Sequence, residues 1–221
     1  MTIVEFFFDI RSPFSRIQYE LLIRQQNHWK SMTQLRMTPV LIRNIFEASG
    51  NLSPAMNPAK LAYLTRDLVM LADYYKMKYA TPKEFRKIVT ESPMANTQLF
   101  LTAIQNHSDE ATFNRLVGVI FDGFYQESPQ QVWQVDVLRQ LAMKEGIASD
   151  VVEKAINVME SDENRAQLEK NTKRPIELGG FGLPITLVHS DNNNASWVFG
   201  SDRMHIIGHL LGEKEPPILR S

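Results

Sequence analysis

The chain of 221 residues contains no cysteine. This absence excludes structural disulfides, thiol–disulfide exchange by protein thiols and cysteine-ligated zinc, whatever the compartment. Any sulfur chemistry must therefore come from a ligand. His205 and His209 are spaced to share a metal on a predicted helix, but no cysteine or third histidine stands nearby in the sequence to complete a site. We therefore expect no bound metal.

The sequence also lacks an excess of one charge and a long apolar run. It has 24 basic and 25 acidic residues, without a cluster of basic residues interleaved with aromatics, so we expect no nucleic-acid partner. No apolar stretch approaches the roughly 20 residues that cross a bilayer, so we expect no membrane partner. With 43% hydrophobic residues the chain can bury a full core. These features predict a soluble, non-secreted globular protein.

Two serines stand where the first strand is predicted to turn into the first helix. The apolar residues 3–10 predict a strand, and Ser12-Pro13-Phe14-Ser15 follows them. Serine is a preferred N-cap, and proline is favoured at the first helical position because its missing N–H would be unpaired there anyway. The positive end of this helix faces whatever lies beside the first serine. Thioredoxin-like proteins place a Cys-x-x-Cys pair at such a junction, and here both positions are serine.

The chain begins with a predicted β-α-β unit. The helix opened by Pro13 is predicted to end near residue 28, and residues 35–45 are predicted to be extended. Residues 48–54 are dense in small, turn-forming types and predict a loop. From about residue 60 to 173, apolar residues recur at helical spacing, which predicts a block of helices.

Local patterns predict further starts and breaks along the chain. Capping boxes at residues 81–84 and 128–131 each predict the start of a helix, and Gly146 predicts a break. Strands are predicted at residues 181–188 and 196–199. The helical block is therefore followed by a second group of strands.

The order of these elements predicts an α/β fold. Residues 191–194 are predicted to form a polar turn, and residues 200–203 to cap a last helix. The β-α-β…β-β-α elements form a thioredoxin-like domain of residues 1–59 and 174–221. An all-helical domain of residues 60–173 is inserted into it.

Four groups of residues carry a resemblance over nearly the whole chain. They are Phe8-Asp9-x-x-Ser12-Pro13-Phe14-Ser15, in which x is any residue, Ser49-Gly50-Asn51 with Pro58 and Lys60, residues 181–186 (Phe-Gly-Leu-Pro-Ile-Thr), and residues 199–204 (Phe-Gly-Ser-Asp-Arg-Met) followed by 210–214. In this order and spacing they resemble the kappa-class glutathione transferases, a thioredoxin-like branch related to the bacterial DsbA-type oxidoreductases. Phe14 and Arg16 depart from the family, which commonly has tyrosine and tryptophan there, so acceptor preference is not carried over.

The resemblance implies glutathione as co-substrate, with no permanently bound cofactor, and Ser12 as the catalytic residue. The glutathione-binding residues that it implies are Ser12, Pro13, Phe14, Asn51, Lys60, Leu183, Pro184, Ser201, Asp202 and Arg203. A cis bond before Pro184 would let the Leu183 backbone pair with the cysteinyl unit like an added strand. Asn51 and Lys60 are assigned to the glycyl end of glutathione.

Each of these residues also has a plain structural interpretation. Ser12 alone is a good N-cap, and a trans proline at a strand edge is equally compatible with the sequence at Pro184. Ser201 and Asp202 fit either an ordinary helix start or the γ-glutamyl end of glutathione, whose carboxylate the helix N-terminus would hold while the aspartate faces its ammonium. A lone loop lysine such as Lys60 is usually solvated. Arg203 would support either the ligand or a subunit contact.

Thiol activation by Ser12 is quantitatively reasonable. A hydroxyl that donates to a thiolate contributes roughly 1.5 to 3 kcal/mol, and one pKa unit is about 1.4 kcal/mol. This hydrogen bond would lower a thiol pKa of about 8.5 by about one to two units. The helix N-terminus would add about 0.3 to 1 kcal/mol in the same direction. Ser15, one turn further on, is interpreted as structural.

The sequence is therefore interpreted as that of a glutathione transferase. The thiolate would attack an electrophile such as an activated aryl halide, or reduce a hydroperoxide. An alternative in the same fold is a glutathione-dependent isomerase of the 2-hydroxychromene-2-carboxylate type, in which the thiolate adds and leaves again. A non-catalytic thioredoxin-like binding module is an alternative from another class.

The resemblance also carries expectations about assembly and location. The family is homodimeric, and we predict a homodimer that binds glutathione and a small electrophile. Kappa enzymes occur in mitochondria and peroxisomes, so the mitochondrial matrix is predicted, with the peroxisome or the cytosol as alternatives. No arginine-rich leader precedes the first strand, and residues 219–221 are not a Ser-Lys-Leu type address.

Overall fold

The computed structural model describes residues 2–189 and 195–213. The strands are β1 (Ile3–Phe8), β2 (Gln34–Pro39), β3 (Ile185–His189) and β4 (Ala195–Phe199). They form one mixed sheet in the order β2-β1-β3-β4. β1 runs parallel to β2 and antiparallel to β3, and β4 runs antiparallel to β3. The first strand is thus flanked by strands on both sides.

Ten α-helices accompany the sheet in the described part of the chain. They are α1 (Pro13–Gln26), α2 (Ile42–Ser49), α3 (Pro58–Tyr74), α4 (Phe85–Glu91), α5 (Ala95–Gln105), α6 (Glu110–Phe124), α7 (Val135–Lys144), α8 (Ser149–Val158), α9 (Asp162–Glu177) and α10 (Met204–Leu210). Short 3-10 turns, Pro54–Met56 and Ser201–Arg203, precede α3 and α10. This order confirms the α/β, thioredoxin-like fold, while the division into domains of residues 1–59 with 174–221 and of residues 60–173 stays a prediction. None of the described helices is long and apolar enough to cross a membrane.

The core lies on both faces of β1. Phe6, Phe7 and Phe8 are all fully buried. Because side chains alternate along a strand, the first and third pack into the main core with the helices, where Phe8 contacts the ring of Phe121 at a centroid distance of 5.8 Å. Phe7 packs into a smaller cluster on the other face, together with Ile45 of α2. A strand covered on both faces has a continuous apolar sequence instead of an alternating one.

The extended segment predicted over residues 35–45 is wrong in its second half. β2 ends at Pro39, and α2 begins at Ile42. Two tertiary hydrogen bonds hold this helix start: Leu41 N donates to Thr172 Oγ1 at 3.0 Å, and Ile42 N donates to Asp9 Oδ2 at 2.9 Å. Local propensity favours a strand for this apolar run, and distant partners override it.

Both capping boxes give the wrong helix start. α4 begins only at Phe85, because Glu84 has a left-handed backbone with φ of 57° that interrupts the helix. α7 begins only at Val135, since the chain before it is held by a hydrogen bond from Gln130 N to Gly123 O of 2.9 Å. The predicted break at Gly146 is confirmed, because α7 ends at Lys144 and α8 begins at Ser149.

The second group of strands is confirmed with different bounds. β3 begins at Ile185 instead of residue 181, and β4 includes Ala195. The polar turn predicted at residues 191–194 lies outside the described residues. The last helix starts as a 3-10 turn at Ser201 and continues as α10.

A buried carboxylate lies in the middle of the sheet. Glu5 of β1 is fully buried and accepts hydrogen bonds from Arg174 Nη2 at 2.6 Å and from Thr38 Oγ1 at 2.8 Å, with His189 Nε2 at 3.2 Å. Burial by itself would raise the pKa of Glu5, but the hydrogen bonds and the charge of Arg174 outweigh it and lower the pKa. The carboxylate is therefore ionised and joins β1 to α9, β2 and β3.

Candidate active site

The turn between β1 and α1 presents Ser12 at the start of the helix. Ser12 N donates to Asp9 O at 2.9 Å, and Ser12 Oγ accepts from Ser15 N at 3.2 Å, so the serine is the N-cap of α1. The side chain is 3% exposed but lines a cleft. A serine hydroxyl has one proton and two lone pairs. Capping uses a lone pair, so the proton can still be donated to a ligand.

Two side chains from the helical block support this turn through hydrogen bonds to backbone carbonyl groups. Gln98 Nε2 donates to Phe8 O and to Val40 O, each at 2.9 Å, and Tyr125 OH donates to Ile10 O at 2.9 Å. Burial raises the pKa of Tyr125, so its phenol stays protonated and remains a donor. No local pattern in the sequence marks either supporting residue, because their contacts join residues 58 to 115 positions apart.

Asp9 fixes the same turn to its neighbours. Its fully buried carboxylate accepts from Arg11 N and from Ile42 N, both at 2.9 Å. The Arg11 guanidinium binds it through Nη2 at 2.7 Å and Nε at 3.1 Å. One acidic side chain thus orients the residue before Ser12 and the start of α2.

A largely apolar cleft of about 550 Å³ opens beside the turn. Its walls are formed by the start of α1, by α2, by the loop before α3, by α3 itself, by the segment before β3 and by the segment at the end of β4. The predicted site residues that line it are Ser12, Pro13, Phe14, Asn51, Leu183, Pro184, Ser201 and Asp202. Residues about 190 positions apart in the sequence therefore share one cavity.

Lys60 and Arg203 are the predicted site residues that do not line this cleft. Lys60 is exposed in the first turn of α3, where its backbone N–H donates to Asn57 Oδ1 at 3.1 Å. Arg203 is exposed and forms an ion pair with Asp202. Ligand roles for the lysine and the arginine therefore stay predictions.

The segment before β3 closes one side of the cleft. The Leu183–Pro184 peptide bond is cis, as the resemblance implies. Pro184 O accepts from Gly200 N at 3.1 Å, and Asn51 Nδ2 donates to Phe181 O at 2.7 Å. Asn51 thus connects the loop after α2 to this segment. This structural role is not predicted from the sequence.

Gly200 occupies a position that a larger residue would strain. Its φ of 95° lies in the region that favours glycine, and a Cβ there would come within 2.6 Å of Asp202 Oδ1. The glycine therefore lets the chain turn from β4 into the 3-10 turn that carries Ser201 and Asp202 to the cleft.

The two departures from the family pattern lie in different environments. Phe14 lines the cleft. The Arg16 side chain is 4% exposed, does not line the cleft, and pairs with Glu20 at 3.0 Å and Asp122 at 2.7 Å. The Arg16 side chain therefore lies between α1 and α6, outside the walls of the cleft.

Comparisons with known proteins show the family of this chain. Residues 3–212 match the model of the DSBA-like thioredoxin domain family. Glutathione S-transferase kappa 1 of Homo sapiens is 32% identical over 218 residues, which cover 96% of this chain and 91% of the relative. Glutathione S-transferase kappa 1 of Rattus norvegicus is 29% identical and covers 99% of this chain and 96% of the relative.

Solved structures share the fold at lower identity. A 2-hydroxychromene-2-carboxylate isomerase has a TM-score of 0.73 at 23% identity, covering 95% of this chain and 94% of the isomerase. The cytosolic disulfide reductase DsbM from Pseudomonas aeruginosa, solved with GSH, has a TM-score of 0.62 at 12% identity, covering 95% and 92%. The family match and the identity to the human relative show that this chain belongs to the DSBA-like thioredoxin domain family and, within it, to the kappa glutathione S-transferase family.

Proposed function

We propose that this protein is a glutathione transferase in which Ser12 stabilises the thiolate of bound glutathione. The observation that carries the proposal is the N-cap geometry: the hydroxyl accepts from Ser15 N and lies at a cleft with its proton available. The kinship with the kappa transferases supports glutathione as the ligand.

The proposed reaction needs activation and proximity only. The glutathione thiol loses its proton to solvent, and Ser12 O–H donates to the sulfur anion that remains. The thiolate then forms a carbon–sulfur bond with an activated aryl halide, and the halide leaves with its bonding electron pair. Because no cysteine stands at this helix start, glutathione is not captured as a mixed disulfide by the protein.

The walls of the cleft suggest how glutathione lies. We place the cysteinyl unit along the backbone of Leu183, in the manner of an added strand. The γ-glutamyl end would lie against Ser201 and Asp202, at the start of the 3-10 turn that leads into α10. Asn51 and Lys60 would serve the glycyl end, the lysine by reaching over the rim from α3.

Product analysis with two matched serine variants tests this proposal. The protein is incubated with glutathione and 1-chloro-2,4-dinitrobenzene, and the products are identified by mass spectrometry. We expect a thioether, formed about 10 to 100 times more slowly by Ser12→Ala, which corresponds to the roughly 1.5 to 3 kcal/mol of a hydrogen bond to a charged group. Ser15→Ala is the control, because its buried hydroxyl does not line the cleft.

The other outcomes separate the remaining functions. Hydroperoxide reduction would give oxidised glutathione, and we expect it as a second activity of the same thiolate. Regenerated free glutathione with an isomerised 2-hydroxychromene-2-carboxylate, and no thioether from any acceptor, would favour the isomerase. Binding of glutathione without turnover would favour a non-catalytic binding module.

We further propose that the protein is a homodimer, as its family kinship implies. Tyr63, Met70 and Tyr74 are exposed large side chains that share one face of α3 by their spacing, and Leu52 and Met56 are exposed in the loop before it. Sedimentation equilibrium tests this, and a monomer at micromolar concentration would contradict it.

The mitochondrial matrix is the proposed location, with the peroxisome and the cytosol as alternatives. The proposal is based on the kinship alone. Imaging of the tagged protein beside matrix and peroxisomal markers tests it, and a signal that follows neither marker would support the cytosol.

A further inference from the structure

Among the described residues, the charged side chains that line the cleft are two carboxylates and one guanidinium. Within residues 2–189 and 195–213, its charged lining residues are Arg11, Asp67 and Asp202. Asp202 is paired with Arg203, which lies outside the lining. Arg11 is therefore the one cation of the lining in the described part of the chain, and it directly precedes Ser12.

The pair of Arg11 with Asp9 has a fixed orientation. The Asp9 side chain is 0% exposed and the Arg11 side chain is 13% exposed, so the carboxylate lies behind the guanidinium. Asp9 is held independently by Arg11 N and Ile42 N. The positive end of the pair therefore faces the cleft, and the arginine is not free to rotate away without leaving a buried carboxylate unpaired.

The guanidinium keeps donors for a ligand. Arg11 Nε and Nη2 donate to Asp9, whereas Nη1 has no protein acceptor within residues 2–189 and 195–213. Burial by itself would lower the pKa of Arg11, but the charge and hydrogen bonds of Asp9 raise it, so the side chain stays charged. A fixed cation with unused N–H groups suits an anion that is bound beside it.

We propose that Arg11, oriented by Asp9, is a second residue that stabilises the thiolate of glutathione bound at Ser12. This inference rests on the proposed function. The serine supplies a short-range hydrogen bond to the sulfur, and the arginine supplies a positive charge at the same end of the cleft. The two contributions differ in range, because a charge acts over several ångströms and is screened by salt.

The test is an ultraviolet titration of the thiolate of bound glutathione in wild type and in Arg11→Met. A nearby cation lowers the pKa of an acid by about one to three units, so we expect Arg11→Met, which leaves the Asp9 carboxylate in place, to raise the thiol pKa by about one unit or more. Arg11→Lys should restore most of the effect. Added salt should raise the thiol pKa of wild type more than that of Arg11→Met.

Two controls separate this role from a structural one. Arg16→Met removes another buried arginine from the same end of α1, with its partners Glu20 and Asp122, but away from the cleft. It should lower the melting temperature and leave the thiol pKa unchanged. The double variant Asp9→Asn with Arg11→Met removes both charges of the pair, so a raised thiol pKa there does not come from an orphaned carboxylate.

The outcomes distinguish this inference from the proposed function. A wild-type thiol pKa equal to that of free glutathione would contradict the proposed function. A lowered wild-type pKa that stays unchanged in Arg11→Met, or returns to the wild-type value in the double variant, would overturn the role of Arg11 alone. If Arg11→Met does not fold, the decision falls to the thiol pKa of glutathione bound to Arg11→Lys and to the salt dependence of the wild-type thiol pKa. A wild-type thiol pKa that is insensitive to salt would overturn the inference.

Discussion

Two carboxylate–arginine pairs originate at β1, and they differ in what surrounds the arginine. Glu5 in the middle of the strand binds Arg174, Thr38 and His189, so its partners come from three other elements. Asp9, just beyond the end of the strand, binds Arg11 two positions away and leaves the guanidinium at the edge of a cleft. The Glu5–Arg174 pair joins separate elements of the fold, and the Asp9–Arg11 pair orients a positive charge towards the candidate ligand site. Similar chemistry thus serves stability in one place and the proposed catalysis in the other.

The largest expected effect on stability comes from breaking the first pair. Glu5→Gln removes the charge that Arg174 binds inside the sheet, and loss of one partner of a buried ion pair costs about 3 to 5 kcal/mol. Because the Arg174 side chain is 38% exposed and can turn to water, we expect the free energy of unfolding, measured with urea, to fall by about 2 to 3 kcal/mol. Turnover per folded molecule should not change.

The control for this variant is an exposed pair. Glu160 is bound to Arg165 on the surface, with both side chains at least half exposed. Glu160→Gln should leave the unfolding midpoint nearly unchanged. Equal losses in the two variants would contradict the structural role of Glu5.

The next effect concerns the support of the cleft turn. Gln98→Ala removes the hydrogen bonds to Phe8 O and Val40 O. Because a buried polar group that loses its partner is costly, we expect the free energy of unfolding to fall by about 1 to 3 kcal/mol. Because this turn presents Ser12, we also expect a lower rate of thioether formation at saturating glutathione. Gln105→Ala is the control, since Gln105 donates to Met37 O at the sheet edge, away from the cleft. A rate loss as large in the control would contradict the specific role of Gln98.

The pH dependence of stability tests the Glu5 pair further. The folded-state pKa of Glu5 is lowered, so its contribution is fully present above the unfolded pKa of about 4.3 and is lost as the pH falls through the lower folded value. The stability difference between wild type and Glu5→Gln should therefore shrink below about pH 4. Urea unfolding at several pH values measures it, and a difference that grows on acidification would contradict this sign.

The smallest expected effect is on acceptor choice. Phe14 lines the cleft, and Phe14→Tyr restores the residue common in the family and adds one hydroxyl to an apolar wall. A small change to an otherwise hydrophobic pocket alters discrimination by about tenfold to a hundredfold. We expect the ratio of rates with an aryl chloride and a hydroperoxide to change while the thiol pKa stays constant. An unchanged ratio would place the acceptor elsewhere in the cleft.

Local signals made the centre of the candidate site predictable. Ser12 and Pro13 mark a helix start through interactions within four residues, and the residues around Pro184 and Ser201 were identified by family resemblance. Apart from α2, the order of strands and helical regions also follows from hydrophobic patterning, because that pattern records which faces are buried.

Contacts between distant residues explain what the sequence did not predict. The sequence predicts the first half of α2 as extended, because the start of this helix depends on Asp9, which is 33 residues away. The support from Gln98 and Tyr125 comes from the helical block, and Arg11 in the sequence is only an arginine beside a motif. In each case a tertiary partner decides the role, and no local pattern encodes that partner.

Thiol activation by Ser12 is measured by titrating the thiolate absorbance of glutathione bound to wild type and to Ser12→Ala. We predict that the wild-type thiol pKa lies about one to two units below that of free glutathione, and that it returns most of the way in the alanine variant. An equally lowered thiol pKa in both proteins would contradict the role of Ser12. Bound glutathione with the pKa of the free thiol in wild type would contradict thiol activation altogether.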